Sequence, residues 1–124
     1  MTILDAITAA GRIQPDDFGN EEKVQWLSDF DGQVWLDVFQ THEGCPDGEF
    51  AGYDKDTDIE TTELLIPAPY TNVYPLYLTM MADMHGGDIT RYTNSRAVWE
   101  NAYGNFTNWY NRTHMPIGVR AVRF

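Results

Sequence analysis

The sequence predicts a mainly α-helical protein: a small helical bundle around one long C-terminal helix, with a long acidic loop and an extended C-terminal β-arm. Apolar and aromatic side chains recur every three or four residues in four stretches of the chain, which is the period of an amphipathic helix rather than of a strand. Residues 42–61, between the second and third stretches, are instead rich in glycine and aspartate, which favours a loop. With 124 residues and 43% hydrophobic content, the chain suits one helical domain spanning residues 1–124.

The first helix is predicted to begin after Thr2, because Thr2 and Asp5 have the spacing of a capping box. Gly11 is predicted to end it. A helix this short is marginal in water, so it must dock on the rest of the chain. The predicted buried face consists of Ile3, Ala6, Ile7 and Ala10.

The second helix is predicted at about residues 21–41, with Asn20 as its N-cap and two glutamates in its first turn, where the helix dipole favours acids. Asp29, Asp31 and Asp37 do not all share one face, so we interpret them as solvated acids rather than as a carboxylate site. The predicted buried stripe consists of Val24, Leu27, Phe30 or Asp31, Val34 and Val38, with Trp26, Trp35 and Phe39 at its borders.

The flexible loop at about residues 42–61 is unusually long for a compact domain, which favours a role in contacting a neighbour. Asp54, Asp56 and Asp58 repeat the first three ligands of an EF-hand loop. The later positions differ, because Ile59 replaces the glycine and Leu65 replaces the glutamate that such a loop requires. We therefore predict no calcium site here.

The third helix is predicted with Thr71 or Asn72 as its cap, and Gly86 and Gly87 are predicted to break or hinge it before Asp88. Before it, the apolar run 63–66 stays extended because prolines follow it. It is predicted to lie across the helices as a strap or to pair with another extended segment. The predicted stripe of the third helix consists of Tyr74, Tyr77, Leu78, Met81, Met84 and His85, with His85 interpreted as a partly buried structural histidine.

The long helix is predicted from Asp88 to Arg112, a span of roughly 37 Å. Its aromatic side chains form one seam that needs a partner, either the rest of this chain or a neighbour. We interpret the seam as core packed against the second and third helices. The predicted seam consists of Ile89, Tyr92, Arg96, Trp99, Tyr103, Phe106 and Tyr110.

The C-terminal arm, about residues 115–124, alternates in the manner of a β-strand after Pro116. Ile117, Val119 and Ala121 would lie on one side of such a strand. The arm is predicted to pair either with the 63–66 run of its own chain or with a sheet edge on another chain.

The net charge of −11 argues against a protein that coats nucleic acid by neutralising phosphates. Residues 1–90 hold 18 acidic side chains against three basic ones, whereas residues 91–124 hold one acid and five arginines. Such a chain can associate head to tail with copies of itself. An acidic surface that serves only solubility is the alternative interpretation.

The sequence carries no phosphate-binding loop, no nucleophile elbow and no cluster of cysteine and histidine. We therefore predict a non-enzymatic protein without cofactor or metal. The single cysteine, Cys45, excludes an internal disulfide. The sequence also has no apolar run of membrane-spanning length and no basic N-terminal export signal, which favours the cytosol.

The segment from Ile66 to Arg112 carries a pattern of residues shared with one group of proteins. The matching residues are Pro67, Ala68, Pro69, Tyr70, Tyr74, Tyr77, Asp83, Gly87, Arg91, Tyr92, Asn94, Ser95, Ala102, Tyr103, Phe106, Tyr110, Asn111 and Arg112, with a weaker match over Val24 to Gly32 that includes Trp26 and Leu27. In these residues the chain resembles short proteins from the capsid-and-neck gene modules of tailed phages and prophages of gut Firmicutes, within the head–tail connector (adaptor) class.

The resemblance implies a structural virion protein that forms a dodecameric ring beneath the portal protein and docks the tail or a stopper protein. DNA would pass through the ring without sequence-specific binding. The protein would be made in the host bacterial cytoplasm and reside in the virion neck.

Two other functions remain alternatives. The acidic stretch is also typical of an inhibitor that mimics DNA and binds a nucleic-acid-binding protein. A small metal-dependent enzyme that uses the aspartate-rich loop is the third hypothesis. For the connector hypothesis, the predicted interface residues are Arg112, Ile117, Val119, Arg120, Val122, Arg123 and Phe124, together with Asp54, Asp56 and Asp58.

Overall fold

The computed structural model describes residues 1–46 and 48–115. In this part of the chain lie four α-helices: α1 (Ile3–Ile13), α2 (Asn20–Val34), α3 (Val73–Gly86) and α4 (Ile89–Thr113). A π-helical turn, Trp35–Phe39, continues α2, and a 3-10 turn, Tyr70–Asn72, precedes α3. The mainly α-helical fold class is confirmed. The predicted β-arm, apart from Met115, lies outside the described residues.

The N-terminus of α1 shows why this short helix is stable. Thr2 and Asp5 form the predicted capping box, with the Asp5 amide donating to Thr2 Oγ1 over 3.1 Å. The amides of Ile3 and Leu4, which have no partner within the helix, donate to loop carbonyls at residues 62 and 59. The predicted face of Ile3, Ala6, Ile7 and Ala10 is buried. Gly11 does not end the helix, which continues to Ile13, because a single glycine costs a helix only about 1 kcal/mol.

The buried stripe of α2 follows the prediction and continues through the π-helical turn. The turn is closed by the Gln40 amide, which donates to the Trp35 carbonyl over 2.9 Å. The predicted N-cap is wrong: Gly19 occupies that position without a side-chain bond, and Asn20 is already helical. All the predicted side chains of the stripe and its borders are buried: Val24, Trp26, Leu27, Phe30, Asp31, Val34, Trp35, Val38 and Phe39.

Helix α3 lies at the centre of the bundle and contacts α1, α2 and α4. Because neighbours surround it, its buried residues are not confined to one stripe. Met84 and His85 are exposed, so the predicted stripe is wrong at this end. His85 nevertheless stacks on Trp26, with ring centroids 5.1 Å apart. The buried residues of α3 are Val73, Tyr74, Pro75, Leu78, Thr79, Met80, Ala82 and Asp83.

The 63–66 run acts as a strap between the N-terminus and α3. It forms one antiparallel bridge, between Glu63 and Thr2, and the Leu64 amide donates to the Met1 carbonyl. The next two amides, of Leu65 and Ile66, donate to side chains on α2 and α3. Three successive N–H groups of the strap are therefore already used and offer no donors to a further strand.

Helix α4 begins and ends close to the prediction, with the Asp88 side chain accepting from the Arg91 amide over 3.0 Å. Its seam is confirmed from Trp99 onwards and at the half-buried Tyr92, but it shifts by one residue at Arg96. There Ser95, not Arg96, faces α3, and its hydroxyl donates to the buried Asp83 over 2.7 Å. Ile89 is 79% exposed, so it also lies off the seam.

The short link between α3 and α4 depends on Gly87, whose φ of +78° lies in the left-handed region. Gly87→Ala is expected to lower the free energy of unfolding by about 1 kcal/mol, because an L side chain is disfavoured there. Gly86→Ala is the matched control: Gly86 is helical with open space around it, so alanine is expected to be neutral or to stabilise by up to about 1 kcal/mol. Urea unfolding measures both, and equal effects would contradict this account.

Candidate functional site

A groove of about 830 Å³ opens where α2, α3 and α4 meet residues 50–52 of the long loop. Gly32 and Leu36, of α2 and its π-helical turn, line the groove together with Trp99 and Tyr103 of α4. Leu36 is 61% exposed, which is unusual for a leucine beside a packed aromatic core. The complete lining is Ser28, Asp29, Phe30, Gly32, Gln33, Leu36, Asp37, Phe50, Ala51, Gly52, Tyr77, Trp99 and Tyr103.

The floor of the groove is aromatic. Phe30 stacks on Tyr77 at 4.6 Å and meets Tyr103 edge-on at 5.5 Å. Trp99 stacks on Tyr103 with their planes only 6° apart. Because these rings pack against one another, they form one continuous aromatic floor that lines the groove. This floor offers a flat, electron-rich surface to a ligand.

Two carboxylates give the groove its charge. Asp29 and Asp37 are exposed and line the groove, and Asp29 accepts a hydrogen bond from Gln25 over 2.9 Å. Burial is the main cause that raises the pKa of Tyr77 and the pKa of Tyr103. The negative charge of Asp29 raises the pKa of Tyr77 further, and that of Asp37 raises the pKa of Tyr103 further. Within residues 1–46 and 48–115 neither aspartate forms an ion pair. The groove therefore favours a cationic ligand.

A continuation of the groove runs along the π-helical turn. A second hollow of about 270 Å³ shares Gly32, Leu36 and Phe50 with the first and adds Trp35, Gln40 and Glu49 to the lining. The two together follow α2 and its turn from Ser28 to Gln40. This shape suits an extended segment better than a compact ligand.

Beneath the aromatic floor, Asp31 joins four parts of the chain. It is 0% exposed and accepts hydrogen bonds from the Tyr53 hydroxyl at 2.5 Å, the Tyr74 hydroxyl at 2.6 Å and the Leu65 amide at 3.1 Å. Tyr74 in turn accepts from the Ile66 amide at 2.7 Å. The interpretation of Asp31 as a solvated acid is wrong, because these donors satisfy the carboxylate in the interior. Its place on the buried stripe of α2 was the one signal in the sequence.

Burial raises the pKa of Asp31 above its usual range, against three hydrogen bonds that lower it. A raised pKa means that the folded protein binds a proton more readily than the unfolded chain does. The stability that this tighter proton binding contributes is fully present below the pKa of the unfolded chain, about 3.9. It is lost as pH rises through the pKa of Asp31 in the folded protein. Asp31→Asn lacks this titration, so the stability advantage of the wild type over Asp31→Asn is expected to shrink as pH rises above about 4. Urea unfolding across that range tests this, and a constant difference would contradict it.

The predicted interface aspartates lie on the surface of the long loop. Asp54 and Asp58 are exposed, and each accepts a hydrogen bond from the amide two residues later, as in a turn. Asp56 is also exposed. Across the described residues, no three acidic, histidine or cysteine side chains are placed to hold a metal ion.

Arg112 is exposed near the end of α4, where the start of the long loop packs. His42 lies 2.6 Å from Asn111 Oδ1, and the Glu43 amide donates to the Met115 carbonyl over 3.0 Å. His114 stacks on Tyr110 at 3.9 Å. These contacts hold the end of α4 and Met115 against the start of the long loop. The other predicted interface residues lie outside the described residues: Ile117, Val119, Arg120, Val122, Arg123 and Phe124.

The fold and the groove together define a mainly helical protein with an acidic, aromatic surface groove. No protein-family model, curated protein or solved structure matches the chain. Among the residues that the structure describes, no helix has both the length and the apolar character that a membrane span needs.

Proposed function

We propose that this chain is a structural virion protein: a head–tail connector that forms a ring beneath the portal protein and docks the tail or a stopper protein. The role requires association rather than catalysis. It is supported by the resemblance of Ile66–Arg112 to neck proteins of tailed phages, and by the distribution of charge over the folded chain. That distribution carries the proposal.

Exposed charges of opposite sign are available for contacts between copies. Three ion pairs lie within the described residues, and they join Glu63 to the N-terminal amine, Lys23 to Asp16 and Arg96 to Glu100. Arg91 and Arg112, both exposed on α4, are in none of these three pairs. Charges of opposite sign at opposite ends of one sequence allow heterologous contacts, which close into a ring when the rotation between copies permits it.

The N-terminal half of α4 adds apolar surface for such contacts. Val98 is 53% exposed and lies seven residues, about two turns, after the exposed Arg91, so the two side chains share a face of the helix. Exposed aliphatic side chains beside an arginine are typical of the composition of protein interfaces. This surface is separate from the aromatic seam that packs inside the bundle.

Co-expression with the portal protein of the same phage or prophage tests the proposal. The connector is expected to co-purify with the portal, and native mass spectrometry and electron microscopy are expected to show a dodecameric ring. Arg112→Glu is expected to weaken this association about tenfold, whereas Arg12→Glu, an exposed arginine at the end of α1, serves as the matched control. A chain that remains monomeric even with the portal present would contradict the proposal.

A second candidate is an acidic inhibitor that mimics DNA. It is favoured by Asp54, Asp56, Asp58 and Glu60, which are exposed on one loop and form no ion pair within the described residues. The test is a pull-down from host or phage extract. Recovery of a DNA-binding enzyme by the wild type, lost when these four side chains are neutralised as amides, would favour the inhibitor over the connector.

A further inference from the structure

The acidic groove on α2 and α4 and the basic C-terminal segment of the same chain are chemically complementary. We propose that the groove is the docking site for residues 116–124 of a second copy, with Arg120 and Arg123 lying on the aromatic floor beside Asp29 and Asp37. The choice of a second copy rests on the proposed ring, in which a segment of one copy must meet a different surface of the next.

Arginine is the side chain that suits this groove. A guanidinium group stacks on aromatic faces and also donates paired hydrogen bonds to a carboxylate. The groove offers both partners, because Tyr77, Trp99 and Tyr103 line it together with Asp29 and Asp37. Residues 116–124, PIGVRAVRF, carry two arginines and no acid.

The spacing of the charges also agrees. Asp29 and Asp37 are eight residues apart along α2 and its turn, which is roughly 12 Å along a helix axis. Arg120 and Arg123 are three residues apart, so in a polyproline II conformation, which has three residues per turn, they would lie on one side of the segment roughly 9 Å apart. An extended segment can therefore bring each arginine close to one aspartate.

The shape and the remaining side chains fit an extended apolar and basic segment. The two joined hollows follow α2 and its turn from Ser28 to Gln40, and they are flanked by the exposed Leu36. Val119, Val122 and Phe124 of the segment can contact Leu36 and the aromatic rings, while Glu49 at the far end adds a third carboxylate. The strap at 63–66 is a poorer docking site for the segment, because its backbone amides at residues 64–66 already donate hydrogen bonds within the chain.

Photo-cross-linking tests the site and the partner together. In the full-length chain, p-benzoylphenylalanine, a close analogue of phenylalanine, replaces Phe124. Equal amounts of nitrogen-14 and nitrogen-15 chains are mixed, irradiated alone at high concentration and in complex with the portal, and digested for mass spectrometry. The expected result is cross-links from residue 124 to peptides containing Leu36, Phe50 or Trp99, with both isotope labels in one cross-linked pair.

Charge variants of the groove provide the matched comparison. Asp29→Asn with Asp37→Asn keeps the shape of the groove and is expected to lower the yield of these cross-links about tenfold. Asp17→Asn with Glu22→Gln, two exposed acids outside the groove, removes the same charge and is expected to leave the yield unchanged. Equal loss in both variants would mean that net charge, not the groove, attracts the segment, and would overturn the proposal.

The remaining outcomes separate this inference from the proposed function. Cross-links to the groove that carry only one isotope label would show that the segment binds the groove of its own chain. Cross-links to other peptides, or no cross-links, would show that the segment does not bind the groove. Either result overturns the inference. If rings still form on the portal in those cases, the connector function stands; if no assembly occurs with the portal, the connector function fails on its own test.

Discussion

Asp31→Ala is expected to lower the free energy of unfolding by about 3–5 kcal/mol, one of the two largest effects expected for a single substitution in this chain. The substitution leaves three buried donors without an acceptor: the hydroxyls of Tyr53 and Tyr74 and the amide of Leu65. Each unsatisfied donor costs about 1–3 kcal/mol, and part of this is offset because a carboxylate no longer has to be desolvated. Urea unfolding followed by tryptophan fluorescence measures the loss.

The exposed Asp29, two residues away on the same helix, is the control for this substitution. Asp29→Ala removes one exposed hydrogen bond with Gln25 and is expected to change stability by no more than about 0.5 kcal/mol. Tyr74→Phe is expected to cost more than Tyr53→Phe, because the Tyr74 hydroxyl also accepts from the Ile66 amide. A loss below about 1 kcal/mol in Asp31→Ala would show that water replaces the carboxylate and that the strap does not depend on it.

The helices were predictable because their periods and caps are local. The capping box of Thr2 and Asp5 and the α4 N-cap at Asp88 are formed by residues within one turn of each other. The errors at Asp31 and in the α4 seam arise because a distant partner decides the outcome. Periodicity groups Asp31 with Phe30 on one face, but only Tyr53 and Tyr74, 22 and 43 residues away, make a buried carboxylate acceptable there.

The shift in the α4 seam has the same cause. Arg96 fits the period of three and four, yet its guanidinium is exposed and pairs with Glu100 over 2.8 Å. Ser95 faces α3 instead, because its hydroxyl reaches the buried Asp83, which also accepts from Gln14 over 2.7 Å. A serine does not count as a hydrophobic residue in a periodic pattern. This contact between Ser95 of α4, Asp83 of α3 and Gln14, the C-cap residue of α1, therefore could not be predicted from the sequence pattern.

The groove was missed for a related reason. Its lining comes from α2, the loop, α3 and α4, with Phe30, Phe50 and Trp99 separated by many residues. The sequence identified aromatic seams but not which rings would remain accessible. The basic C-terminal segment was predicted to be an interface from the sequence, whereas the groove that we propose as its docking site could be found only in the fold.

Phe106→Ala is expected to lower the free energy of unfolding by about 3–5 kcal/mol, because it leaves a cavity in the packed aromatic cluster. Phe106 is 0% exposed and lies within 6.3 Å, centroid to centroid, of the rings of Tyr70, Tyr103, Trp109 and Tyr110. Val98→Ala, 53% exposed on the same helix, is the control and is expected to be neutral or slightly stabilising, since alanine favours helix.

Urea unfolding of the wild type and of Phe106→Ala at several protein concentrations shows whether the same chain or a neighbouring copy covers the aromatic seam. If the aromatic seam of α4 is core of a single chain, the midpoint of urea unfolding depends on concentration to the same extent for the wild type and for Phe106→Ala. If a neighbouring copy covers the seam, mass action makes the wild-type midpoint rise with concentration, and Phe106→Ala loses most of that rise. Since Phe106 packs on rings of its own chain, we expect the first result. The association surfaces of α4 would then be its exposed residues, such as Ile89 and Val98, and the rings that line the groove.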